Sequence, residues 1–92
     1  MINITGDLDL STAPEVCARV EDTFRDPGAR VLLDLTQLTF CDSTGLRALL
    51  GVVREAKVHG VPLSVRLPRE AAPMRALELS GTLEFLPLAP PD

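Results

Sequence analysis

Four consecutive residues stand out by type and by placement: Asp42-Ser43-Thr44-Gly45. They join an apolar segment to an amphipathic one. Asp, Ser and Thr are preferred helix caps, and such a cap is worth about 1 kcal/mol. That alone accounts for the residue types. The position has a second capacity. A helix start offers unsatisfied N–H groups and about half a positive charge. A hydroxyl there is a tolerable place for a phosphate. The Asp42 carboxylate opposes this, because it repels a dianion. A phosphate added beside it changes the local field sharply, enough to eject a partner docked on the same surface.

Other chemistry finds less in the sequence. Ser43 has no base at hand. His59 is the sole histidine. It falls at the far end of the same expected helix, about 24 Å away by helical rise. Asp7, Asp9 and Asp42 converge on a cation only if their loops share one end of the sheet. As three carboxylates without a partner charge, they are equally well explained as solvated loop residues. Cys17 and Cys41 are too far apart in sequence for a close-spaced zinc pair, and they read as small buried hydrophobes. Arg47 and Arg54 lie two turns apart and share a helix face, either solvated or part of a partner surface. No Gly-rich phosphate loop occurs. No catalytic residue, cofactor or metal is expected.

The 92-residue length fits one small domain, read here as residues 1–86 with a Pro-rich tail at 87–92 that should fray. Nine Lys and Arg oppose thirteen Asp and Glu, a net charge of −4 that argues against a nucleic-acid surface. Three Phe, with no Trp or Tyr, are too few rings for a single-strand stacking platform. The apolar run from Leu46 to Val53 is interrupted by Arg47 and is far short of a membrane span. The N-terminus has no basic region leading into a long apolar run. Two free thiols agree with a cytoplasmic location, with no membrane contact expected.

The elements that must position these residues follow an α/β rhythm. Ile2 to Thr5 reads as a short strand and Gly6-Asp7-Leu8-Asp9 as a turn. Thr12 and Glu15 can form a capping box, with Pro14 in the first turn. Ala13, Val16, Cys17, Val20 and Phe24 then make one apolar stripe, ending near Arg25. Val31 to Leu35 is apolar on both faces, apart from Asp34, and reads as a central strand covered by helices. The second helix is expected from Ser43 to His59, burying Leu46, Leu49, Leu50, Val53 and Ala56. Gly60 would cap its end. Leu63 to Leu67 alternates as a strand. Ala71 to Leu79 reads as a third helix with Met74 and Leu77 inward, and Thr82 to Leu86 as a last strand. The expectation is a mainly parallel or mixed sheet of four to five strands against three to four helices.

The segment Val31 to Leu50, with Asp42-Ser43-Thr44-Gly45 inside it, resembles the core signature of the STAS domain family. More narrowly it is similar to the bacterial anti-sigma factor antagonists. Gly6-Asp7-Leu8-Asp9-Leu10-Ser11-Thr12-Ala13 matches the family's other recurrent loop. Gly60-Val61-Pro62-Leu63 and Leu77-Glu78-Leu79-Ser80-Gly81 also fit, so the resemblance covers nearly the whole chain. It implies an antagonist that binds an anti-sigma factor, itself an ATP-dependent serine kinase. That kinase would switch the antagonist off by phosphorylating Ser43, and a metal-dependent serine phosphatase would reverse it. Thr44 matches a second hydroxyl that is less often the acceptor. Asp7, Asp9, Asp42, Thr44, Gly45 and Arg47 would form the partner-binding surface. Similar domains serve as non-catalytic subunits of lipid-transport ATP-binding cassettes or as sensory modules, the alternative reading. Relatives carry a further strand before the Gly-Asp-Leu-Asp loop, where this chain has five residues. The resemblance therefore implies a lost edge strand or a shortened start, and either a homodimer through the uncovered edge or a loose N-terminus.

Overall fold

The computed structural model describes residues 1–90; Pro91 and Asp92 lie outside the described residues. Five strands and three α-helices follow in the order β1 (Ile2–Asn3), β2 (Gly6–Leu8), α1 (Ala13–Thr23), β3 (Val31–Asp34), β4 (Leu38–Cys41), α2 (Ser43–Val58), β5 (Leu63–Arg66), α3 (Ala71–Leu79). A 3-10 turn over Thr82–Phe85 closes the order. This is the small α/β architecture read from the sequence.

Every strand pairing among the described residues is parallel. β3 lies between β1 and β5, and β2 pairs with β4. Backbone bonds carry the ladder across the break between the two pairs. Ile4 N donates to Asp34 O at 3.0 Å and Gly6 N to Gln37 O at 3.2 Å. A register shift sits between Gly6 and Asp7, and Gly6 has φ +73°, a backbone conformation that glycine adopts without penalty. This is why Gly6-Asp7-Leu8 reads as a turn and yet forms a strand. β4, which the sequence reading did not resolve, forms because β2 offers it an edge.

The central position expected of Val31 to Leu35 is met, but the strand is fully covered on one face only, with Leu32 and Asp34 on the other face half-buried. Val31 is nearly buried, and Leu33 and Leu35 have no exposed surface. They pack with Ile4, Leu8, Val20, Leu38, Leu49, Val52, Val65 and Leu77 into one core. On α1, Ala13, Val16 and Val20 are buried, and Cys17 and Phe24 are partly covered. On α2 the buried set is Gly45, Leu49, Val52, Val53 and Ala56. Leu46 and Leu50 are only half-buried, because the helix is turned slightly, bringing Val52 inward. α3 matches its expected bounds, with Leu77 fully buried and Met74 half-buried.

Two expectations fail at the C-terminal end. Thr82–Phe85 is a 3-10 turn and not a strand. Gly81, at φ +75°, starts it. Leu83 and Leu86, three apart, then turn toward the core, Thr82 is buried, and Phe85 is left outside. The sheet edge that a strand there would need is taken by the tail. Pro87 and Ala89 bracket Val65: Val65 N donates to Pro87 O at 2.9 Å and Ala89 N to Val65 O at 2.8 Å. Residues 87–89 are therefore tied to β5 and do not fray. Pro90 follows as an exposed residue, and Pro91 and Asp92 lie outside the described residues.

Candidate functional site

The parallel pairing of β2 with β4 decides where the two loops lie. Leu8 stands opposite Cys41, so the chain leaves both strands at the same end. Asp42 N donates to Leu8 O at 3.3 Å, joining the two exits.

On the α2 side, Asp42 is the N-cap. Its carboxylate accepts from Gly45 N at 2.8 Å, and its carbonyl accepts from Leu46 N at 2.9 Å. Ser43 is the first helical residue and is exposed; Thr44 is half-buried. Gly45 is buried. A Cβ there would collide with the Leu8 carbonyl and lie 3.0 Å from Cys41 Sγ. Its part is to let the helix start press onto β2, leaving surface contact to its neighbours. Arg47, one turn beyond Ser43, is exposed.

On the β2 side, the Asp9 carboxylate accepts from Ser11 N at 2.9 Å, Ser11 Oγ at 2.7 Å and Thr12 N at 3.2 Å. The Ser11 hydroxyl, first among these hydrogen bonds, holds the Asp9 carboxyl below its ordinary 3.8. The expected Thr12–Glu15 capping box does not form. Thr12 Oγ1 instead accepts from Asp9 N at 2.9 Å and donates to Asp7 O at 2.9 Å. The Asp9 carbonyl accepts from Ala13 N at 2.8 Å. Thr12 still stands at the N-cap but makes no side-chain cap bond, and the Asp9 carboxylate closes the turn that leads into α1. Asp7 is exposed, its carboxylate 3.5 Å from Thr39 Oγ1 across the β2–β4 pair.

The structure thus brings Asp7, Asp9, Asp42, Ser43 and Thr44 to one end of the sheet, with Arg47 a turn away. Asp9 and Asp42 each have a carboxylate oxygen held by backbone N–H groups. Among the described residues, no group of three or more His, Cys, Asp or Glu is placed to hold a metal ion. His59 caps the opposite end of α2, its Nδ1 2.8 Å from Glu55 O. Cys41 is buried, which pushes its thiol up to about 11, with the Asp42 charge adding to the effect. Burial also raises Cys17, with a smaller push from Glu21. Both thiols are protonated at neutral pH, as small core hydrophobes would be. The sequence reading passed over Leu10, which stands 74% exposed in the Asp9–Thr12 turn. A lone leucine in a polar loop was the available signal.

The arrangement is an exposed hydroxyl on a helix start, rimmed by carboxylates. No helix among the described residues is long and apolar enough to cross a membrane. The fold has counterparts among solved structures. The anti-sigma factor antagonist SpoIIAA in its unphosphorylated form matches at 20% identity and TM-score 0.72, over 96% of this chain and 76% of that one. A structure of Mglu matches at 25% identity and TM-score 0.65, over 73% of this chain and 17% of that one. This chain thus corresponds to a small part of the longer Mglu. The family model described as "Mlab, STAS domain" matches residues 1–87. With the model spanning nearly every residue that builds the sheet and its helices, the chain belongs to the STAS domain family.

Proposed function

We propose that this chain is an anti-sigma factor antagonist that docks on an anti-sigma factor with serine-kinase activity and is switched off by phosphorylation of Ser43. The observation that carries the reading is Ser43 itself, an exposed hydroxyl on the first residue of α2 beside two carboxylate-bearing loops. The likeness to SpoIIAA, an antagonist described as unphosphorylated, supports it. A phosphate adds about −1.5 to −2 charge next to Asp42 and near Asp7 and Asp9. The helix dipole offsets part of this, typically 0.3–1 kcal/mol. Asp42 and Asp9 keep their backbone bonds, so the fold survives. The docking surface does not, because a partner must now desolvate a dianion. A metal-dependent serine phosphatase would restore it. Asp7, Asp9, Asp42, Thr44 and Arg47 form the contact surface, and Gly45 positions it. The free edge of β1 also offers a second copy a place to pair; light scattering from a strict monomer would remove that part.

The match to the STAS domain model leaves room for a second reading, in which the chain is a non-catalytic STAS subunit of a lipid-transport ATP-binding cassette. One experiment separates the two. The protein is incubated with the kinase-type anti-sigma factor and ATP, the modified residue is mapped by mass spectrometry, and both forms are titrated against the partner. Ser43→Ala should stay folded, resist modification and stay bound. Ser43→Asp should bind weakly, imitating the phosphate with less charge. Modification on Thr44 alone moves the switch by one residue. Equal affinity of the two forms sinks the switch and favours the transport subunit.

A further inference from the structure

Away from the strand exits, α2 carries a second feature. Arg47, Leu50, Arg54 and Lys57 recur at i, i+3, i+7 and i+10 and so form one stripe along the helix. Arg47, Arg54 and Lys57 are exposed, and among the described residues their side chains make no ion pair. The stripe is cationic in a chain of net charge −4. Beside it lies a groove of about 280 Å³, lined by Leu50, Val53, Arg54, Lys57 and Phe85. Val53 is buried at its base, and the Phe85 ring stands 68% exposed on the 3-10 turn. The sequence reading expected Leu50 in the core and Phe85 on a strand. The groove exists because neither holds.

We propose that this groove docks an acidic amphipathic helix of a protein partner. One large apolar side chain would enter between Leu50, Val53 and Phe85. Carboxylates on the flanking turns would meet Arg54 and Lys57 on one side and Arg47 on the other. Charge complementarity fixes the sign of the occupant, since among the described residues these cations have no ion-pair partner. The groove lies at the lower limit of the roughly 300–1,000 Å³ of small-molecule pockets and is open to solvent along the helix, a shape that accepts one anchoring side chain. An anionic membrane fits less well, because three cations attract it weakly while the rest of this acidic chain is repelled. The proposal takes from the switch reading only which protein supplies the helix; the groove itself is lined by Leu50, Val53, Arg54, Lys57 and Phe85, and only Arg47 is shared with the Ser43 surface.

The test is amide chemical-shift mapping on the full chain with three probes. One is a synthetic peptide of about four helical turns, Leu at its centre and Glu on the flanking turns of the same face. The second carries Lys in place of each Glu. The third is phosphatidylglycerol vesicles. The acidic peptide should shift the amides of Leu50, Val53, Lys57 and Phe85, and should bind less at high salt. Arg54→Glu/Lys57→Glu should weaken it about tenfold and should bind the Lys peptide instead. Phe85→Ala, at an exposed position, should weaken the acidic peptide without unfolding the protein. Absence of groove shifts at millimolar peptide, equal binding of the two peptides, or preference for vesicles overturns the proposal whatever Ser43 does. Groove binding together with indifference to Ser43 phosphorylation in the titration above sinks the switch alone.

Discussion

Gly45 is held to its identity by the Leu8 carbonyl, which occupies the space a Cβ would need. Its backbone could accept alanine, and a helix interior even favours it by about 1 kcal/mol. Overpacking against a backbone group costs more, about 2–3 kcal/mol, the upper part of the usual range. Gly45→Ala should therefore lower stability by about 1–2 kcal/mol in chemical denaturation and disturb the Asp42 N–H bond to Leu8. An unchanged midpoint would contradict the close approach. Two carboxylates contribute to the acid dependence of stability. Hydrogen bonds from Ser11 to Asp9, and from Thr36 to Asp34 at 2.6 Å and 2.8 Å, hold both groups below 3.8. Arg66, with an NH group 4.0 Å from Asp34, and Arg69 add to the lowering there. A depressed folded value means that the native state holds its charge longer than the unfolded chain. The stabilisation is complete above about pH 4 and is lost as pH falls through the lower folded values. Denaturation followed from neutral to acid pH should show that fall, and Asp9→Asn or Asp34→Asn should flatten it.

Among the elements, α2 and β3 were legible because local and tertiary signals agree in them. Asp42 caps, Leu49, Val53 and Ala56 recur at helical spacing, and Val31 to Leu35 has no polar face beyond Asp34. β2 and β4 were not legible. Gly6 and two aspartates look like a turn, and only the pairing of Leu8 with Cys41 makes them a strand. Thr82 to Leu86 failed for the opposite reason. Its residues suit a strand, yet the edge it would pair with is filled by Pro87 to Ala89. Of the candidate site, the Asp42 cap and the exposure of Ser43 could be read from residue type. The commitment of the Asp9 carboxylate to the turn before α1 could not, because the sequence offers Thr12 and Glu15 as a capping pair instead. The rotation of α2 yields a direct comparison. Leu49 is 3% exposed and Leu50 is half-buried. Leu49→Ala should cost about 2–5 kcal/mol, and Leu50→Ala distinctly less. Equal losses would mean that α2 faces the core as the sequence pattern alone suggested.

At the scale of the molecule, the Cα radius of gyration is 12.1 Å, close to the roughly 12 Å expected for a compact chain of this length. The tail along β5 shields one outer edge, and prolines at 87 and 90 deny further pairing partners two N–H groups. The parallel arrangement of the strands also governs how the chain reaches this state. No hairpin is available to start it. Ile2 meets Leu33, Val31 meets Leu63 and Leu8 meets Cys41, each across about thirty intervening positions. Every ladder must therefore close a long loop before its first bond repays the lost entropy. β3 takes part in two of the ladders, so its side chains should be ordered at the top of the barrier while the tail is not. In stopped-flow chevrons, Leu33→Val should slow folding, and Leu88→Ala should mainly speed unfolding.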